Sequence, residues 1–227
     1  LARHPVENPS DYLLERLQDA CELRDQRLAL PKVTDGYRLV HAEGDGIPGL
    51  ILDRLGDSIV AQVFALCTMD HMEVIGEALL RRYPGSRLSL NIDPVAAKHE
   101  GIDKQHSPKL AACTVTEHGI RYLVSPGTGH KTGFFADQRD TRQLVRRLAK
   151  GKRVLDLCCN TGGFALNAVR GGAKTVHAID LDEVLQLEDL QIEGFLDLLI
   201  ARRQVLPLLQ SKLQGSVELI RLFEEAR

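Results

Sequence analysis

Asp156 and Asp180 stand 24 positions apart, on either side of the glycine-bearing run Asn160-Thr161-Gly162-Gly163-Phe164. A strand that ends at such a turn and leads into a helix presents backbone N–H groups and the positive end of the helix dipole, which suit a carboxylate or another anion. Asp156, inside the end of the first strand, could accept hydrogen bonds from turn amides or from a ligand ammonium group. Asp180 closes the next strand, the position from which an acid holds both hydroxyls of a ribose. The pair points to an adenosine-containing ligand. A dinucleotide would call for G-x-G-x-x-G, which this turn lacks, so NAD and FAD are disfavoured. Glycine turns of this kind also occur in α/β folds that hold no cofactor, and the unit by itself leaves that alternative open.

The elements that must position these acids are a strand over 153–158, a helix from about Gly163 to Arg170, a stop at Gly171-Gly172 and a strand over 175–180. That is a β-α-β unit with parallel pairing. Upstream, Leu13, Leu14, Leu17, Cys21 and Leu28 share one face of a helix over 10–28, with Ser10 or Asp11 as its cap. From Tyr37 to Phe64 short apolar runs alternate with Asp45-Gly46 and Gly56-Asp57, which predicts a three-stranded meander. A helix over 68–83, a strand over 87–92, a hairpin around His118-Gly119 and a helix from Asp137 to about Ala149 complete the order. Residues 184–227 hold 12 leucines in 44 positions and read as two or three amphipathic helices broken near Pro207 and Gly215-Ser216. The expected fold class is α/β: a small α+β module over 1–126, the start of a Rossmann-like domain over 127–183 and a helical tail over 184–227.

A composition of 44% hydrophobic and 26% charged residues is that of a globular chain, and a net charge of −2 gives no global pull toward nucleic acid or membrane. No run reaches the roughly 18 to 20 apolar residues of a membrane span, and the first residues lack the order of a secretory signal. A cytoplasmic protein is expected, its Leu1 start reading as processed or fragmentary. The five cysteines form no CxxC pair and have no ligands at metal spacing, so reduced thiols and no metal are expected. Cys158 and Cys159 could serve a thiolate chemistry. At a strand end, packing and backbone roles are the better reading.

The stretch from Asp156 to Asp180 resembles the first cofactor motif of class I S-adenosylmethionine-dependent methyltransferases, DxxxxTGGFxxxAxxxGAxxVxxxD. It is similar above all to the group that modifies cytosine and guanine in large-subunit ribosomal RNA. GHKTGFFADQRDTR, residues 129–142, resembles the segment preceding that motif, and YRLVHAEGDGIPGLILDRLGD, residues 37–57, resembles the family's middle module. The resemblance implies S-adenosylmethionine as cofactor. Asp156, Cys158, Asn160, Thr161, Gly162 and Gly163 would hold its methionine end with Phe164 beside them, Asp180 its ribose, and Phe135, Gln138 and Arg139 would line the same pocket.

It also implies RNA as partner, most naturally 23S ribosomal RNA methylated on a base. Between Lys131 and Arg153 eight basic residues face two acids, and Lys131, Arg142 and Arg146 are the candidates to meet phosphates. Arg146, Arg147 and Lys150 serve equally well as a helix's basic last turn. The Asp-Pro-Pro or Asn-Pro-Pro loop of the family has no counterpart in these 227 residues, so no catalytic residue is assigned. A non-catalytic RNA- or protein-binding module with a tail that makes a homo-oligomer is the alternative, and an adenosine-binding α/β protein without methyl transfer is a third.

Overall fold

Pro9 has no N–H to leave unsatisfied and so takes the first turn of α1 (Pro9–Glu22). The cap therefore falls on Asn8, whose side chain accepts the N–H of Ser10 at 3.0 Å, rather than on the expected Ser10 or Asp11. The structure, a computed structural model, describes residues 6–103, 110–127 and 132–179. The expected tail helices over 184–227 lie outside the described residues, as do Lys131 and Asp180. The chain divides into two compact units, residues 1–141 and 142–227.

In the first unit α1 runs on into a π-helical turn over Leu23–Arg27, which ends the expected 10–28 helix early and delivers Asp25 to the sheet. Its carboxylate accepts the hydroxyls of Tyr37 and Tyr83, both at 2.8 Å, and the guanidinium of Arg82 at 3.2 Å. The sheet runs β1 (Gly36–His41), β2 (Leu50–Leu55), β3 (Ser58–Val63) and β4 (Arg87–Ile92). The first three pair antiparallel as the expected meander. The fourth pairs parallel to β3 after a crossover through α2 (Leu66–Met69) and α3 (Met72–Arg82). Leu13, Leu17 and Cys21 of α1 and Ile75 and Leu79 of α3 bury against Leu39, Leu52 and Ala61, one continuous core.

A register shift in β1 between Arg38 and Val40 lets consecutive residues Leu39 and Val40 both be buried. α4 (Pro94–Glu100) follows, its N-cap Asp93 accepting two backbone N–H groups at 2.9 Å. The hairpin β5 (Cys113–Glu117) and β6 (Ile120–Val124) is fastened to the sheet through Asp35, whose side chain accepts the N–H of Thr116 at 2.7 Å while its own N–H donates to the Thr116 carbonyl. Contact there is close enough that a Cβ on Gly36 would collide with Val115 and one on Gly56 would meet the Thr114 carbonyl oxygen at 2.5 Å.

α5 (Arg139–Leu148) carries the chain into the second unit, followed by β7 (Arg153–Leu157), α6 (Gly163–Arg170) and β8 (Thr175–Ile179). β7 and β8 pair parallel over five residues, as the β-α-β pattern requires. Ala165 of α6 packs with Ala178 of β8 and Cys159. On the opposite face of β7, Leu155 and Leu157 stand 60% and 62% exposed.

Candidate functional site

Asp156 is 8% exposed at the end of β7, yet it is ordered by the helix that follows. Its Oδ2 accepts the N–H of Ala165 at 3.0 Å, in the first turn of α6, where the N-cap Gly162 has no side chain to do so. A carboxylate at that end of a helix gains from the dipole as well as from the bond.

The intervening turn alternates in hand. Cys158, Asn160 and Gly162 have φ of 57°, 49° and 70°, while Cys159 and Thr161 between them keep negative φ. Alternation of this kind turns successive backbone N–H groups toward one side, a concavity that takes a carboxylate or phosphate oxygen. The left-handed region is accessible to Asn160 and Gly162 but costs Cys158 roughly 1–2 kcal/mol. Two local bonds hold the turn: Asn160 Oδ1 accepts the N–H of Thr161 at 2.8 Å, and the Cys159 carbonyl accepts the N–H of Gly162 at 2.8 Å.

The two glycines have different reasons to be there. Gly162 is fixed by its positive φ, with no atom closer than 3.9 Å to an added Cβ. Gly163 is fixed by Arg142, whose Cδ would stand 2.9 Å from a Cβ at that position. Arg142 is only 2% exposed, which corrects the expectation that it meets RNA phosphates: a guanidinium packed inside cannot reach a nucleic acid backbone. One turn on, Gln143 Nε2 donates to Asn167 Oδ1 at 2.9 Å, and Asn167 Nδ2 donates to the Gly163 carbonyl at 2.8 Å. Arg146 remains partly exposed.

Cys159 is buried against Ala165 and Ala178, as a packing role requires. Cys158 exposes its side chain, so what it contributes is backbone shape. Phe164 is half-buried in the first turn of α6.

Phe135, Gln138 and Arg139 belong to the first unit. Phe135 precedes a short 3-10 turn over Ala136–Gln138, and Arg139 pairs with Asp140 at 3.3 Å. The anchor of this segment is Thr132, a residue the sequence reading did not single out. Its buried hydroxyl donates at 2.7 Å to Asp53 Oδ2, and Asp53 receives the Arg38 guanidinium through two bonds of 2.9 and 3.0 Å. Phe134 then packs against Tyr122, the ring centroids 5.3 Å apart and the planes tilted by 47°. A threonine beside two phenylalanines gives no sequence signal of an ionic partner 79 residues away.

Among the described residues no group of three or more His, Cys, Asp or Glu side chains could hold a metal, and no helix is long and apolar enough to cross a membrane.

The profile of a family described as "S-adenosylmethionine-dependent methyltransferase" matches residues 101–187. A relative named ribosomal RNA large subunit methyltransferase I, from Erwinia tasmaniensis, is 39% identical over 178 residues, which cover 76% of this chain and 45% of that protein. The Escherichia coli O9:H4 protein of the same name is 36% identical over 177 residues, covering 76% and 44%. A candidate methyltransferase solved in complex with SAH superposes with a TM-score of 0.63 at 27% identity, covering 79% of this chain and 47% of that one. A candidate SAM-dependent methyltransferase of Streptococcus mutans gives 0.63 at 26%, covering 80% and 48%. The chain thus spans about half the length of the relatives it matches.

Proposed function

We propose that the chain, whose residues 101–187 match the profile of the S-adenosylmethionine-dependent methyltransferases, binds S-adenosylmethionine at the turn after β7 and serves methyl transfer to a base of RNA. The relatives' names point to large-subunit ribosomal RNA as the substrate. The observation that carries the reading is the turn itself: an inward acid on β7, alternating φ from Cys158 to Gly162, and a helix start without a side-chain cap of its own.

The donor set suits that cofactor. A methionine end bears a carboxylate and an ammonium group, and the turn offers backbone amides other than those of Thr161 and Gly162, which bond within it, for the one and the Asp156 carboxylate for the other. Bound there, the cofactor supplies an electrophilic methyl group on a positively charged sulfur. Asp156 holds the first turn of α6 and biases the site toward a cationic group; Cys158, Asn160, Thr161, Gly162 and Gly163 supply backbone, and Phe164 an apolar neighbour. Phe135, Gln138, Arg139 and Asp180 stay in the proposed set on the resemblance alone, and Lys131 and Arg146 stay as proposed RNA contacts. No position of the chain is assigned to the acceptor base. A non-catalytic module draws no support from relatives that carry the methyltransferase name.

Calorimetric titration of the 227-residue chain with S-adenosylmethionine and S-adenosylhomocysteine tests the cofactor half. Saturable heat is expected, and none at millimolar ligand overturns it. Transfer of a labelled methyl group to large-subunit ribosomal RNA transcripts tests the other half.

A further inference from the structure

The first unit contains a cleft of about 530 Å³ that takes no part in the cofactor turn, lined among others by Asp35, Arg54, Asp57, Ser86, Arg87 and Cys113. Its volume is that of a small-ligand site. The walls are tight turns: a Cβ at Gly56 would meet the Thr114 carbonyl oxygen at 2.5 Å, the Cys113 thiol reaches the Leu55 carbonyl at 3.2 Å, and Gly85, at φ 80°, has nothing within 4 Å of an added Cβ.

Two guanidiniums are held in the lining before any ligand arrives. Arg54 lies 4.8 Å from the ring centroid of Tyr83, and donates to Tyr37 Oη at 3.2 Å and to the Gly56 carbonyl at 3.3 Å. Arg87 gives its Nη2 to Asp57 at 2.8 Å and to Ser58 Oγ at 3.1 Å. Arg54 Nη2 and Arg87 Nη1 donate to no group among the described residues. On the acceptor side, Asp35 uses Oδ1 for Thr116 and Asp57 uses Oδ1 for Arg87 and Ser58, leaving an oxygen on each. The Arg87 guanidinium beside Asp57 holds its carboxyl below the usual carboxylate range, so the acceptor stays charged.

The charges decide the ligand class. A clamp for phosphates carries surplus cations, whereas this lining opposes two arginines with two aspartates. A ligand matching both must present acceptors and donors together without net charge. An unpaired base does so, and guanine does so most fully: its O6 and N7 accept from arginine, and its Watson–Crick edge donates to a carboxylate.

We propose that the Arg54, Arg87, Asp35 and Asp57 cleft reads an unpaired guanine of the RNA that the chain binds. This rests on the RNA reading above and adds a place, within the first unit, where sequence is recognised.

The test is fluorescence anisotropy on the full chain with labelled single-stranded RNA 12-mers, one guanine-containing and one oligouridine, over a series of salt concentrations. The wild type is expected to favour the guanine oligomer. Asp57→Asn and Arg87→Gln should each remove about tenfold of that preference, with the salt slope nearly unchanged. Asp57 carries the decisive sign, because removing its charge would tighten a phosphate site and weaken a base-reading one. Its side chain is 59% exposed, and an unshifted thermal midpoint would verify the fold. Equal wild-type affinity for both oligomers, or variants that change both alike, overturns the proposal while leaving the RNA reading intact. Failure to bind either oligomer overturns both. GMP that binds as tightly as the guanine oligomer would assign the cleft to a free nucleotide and overturn the RNA assignment.

Discussion

Asp156 and Ala165, nine residues apart, are joined across the turn after β7 by a 3.0 Å bond from the Ala165 amide to the acid's Oδ2. One side chain thus fixes where the helix starts and sets the charge of the concavity before it. The two tasks separate by mutation. Asp156→Asn retains an acceptor oxygen and should cost about 1 kcal/mol or less of stability, whereas Asp156→Ala should cost about 1–2 kcal/mol by loss of the helix-end bond. Both should weaken S-adenosylmethionine binding at least tenfold. Urea denaturation beside calorimetric titration distinguishes them, and an Asn variant with unaltered affinity would exclude the acid from the ligand contact.

Packing of α5 on α6 makes a graded prediction. A Cβ at Gly163 would press on the flexible stem of Arg142 at 2.9 Å, but one at Gly171 would meet the Arg146 carbonyl oxygen at 2.0 Å, and backbone cannot swing aside. Gly163→Ala should therefore cost about 1–2 kcal/mol and Gly171→Ala about 3 kcal/mol or more. The order matters more than the values. Denaturant midpoints that put Gly163→Ala first would contradict the close approach at Gly171.

The Asp53 cluster predicts a hierarchy within one set of bonds. Thr132→Val removes a single neutral donor and should cost about 1 kcal/mol. Asp53→Asn strips charge from a buried carboxylate that also receives the Arg38 fork, and about 2–4 kcal/mol is expected from comparable buried pairs. A double-mutant cycle between the two positions should give a coupling above about 0.5 kcal/mol. A coupling of zero would mean that Thr132 is not anchored through Asp53.

Alkaline pH reports on the Asp25 cluster. Burial first, and then its hydrogen bond to Asp25, pushes the Tyr37 hydroxyl up to about 12, and burial raises Tyr83 as well. A group whose pKa is higher folded than unfolded stabilises the fold fully below the unfolded value of about 10 and loses that contribution as pH rises toward the folded one. Stability should therefore fall between pH 10 and about 12. Tyr37→Phe should shallow the decline. Urea midpoints across that range measure it, and identical slopes for variant and wild type would remove Tyr37 as the cause.

Much of this arrangement was legible before the structure. Gly56-Asp57 announced the two-residue turn between β2 and β3, whereas Asp45-Gly46 marks only the end of a 3-10 turn within the longer β1–β2 connection, and the run from Val154 to Ile179 announced strand, turn, helix and strand through its apolar runs and glycines. What escaped was tertiary. The parallel pairing of β4 with β3 depends on a crossover whose direction no local pattern encodes. Arg142 reads as a solvated basic residue because a buried arginine and an exposed one look alike in a helix rich in arginine. Gly163 reads as room for a ligand, and only the position of Arg142 reveals it as room for a neighbouring helix. Asp25 and Thr132 gave no signal, since the partners of Asp25 lie 12 to 58 residues away on two separate stretches of chain and that of Thr132 lies 79 away.

Tyr37 and Arg38 are neighbours in β1 and project to opposite faces, one toward Asp25 and the other toward Asp53. Each cluster therefore draws on the same strand through different side chains, and among the described residues no bond joins the two. In evolutionary terms that is low epistasis: substitutions that retune the clasp on α1 can accumulate without disturbing the clasp on the segment beginning at Thr132, so the two faces of one strand are free to diverge at separate rates.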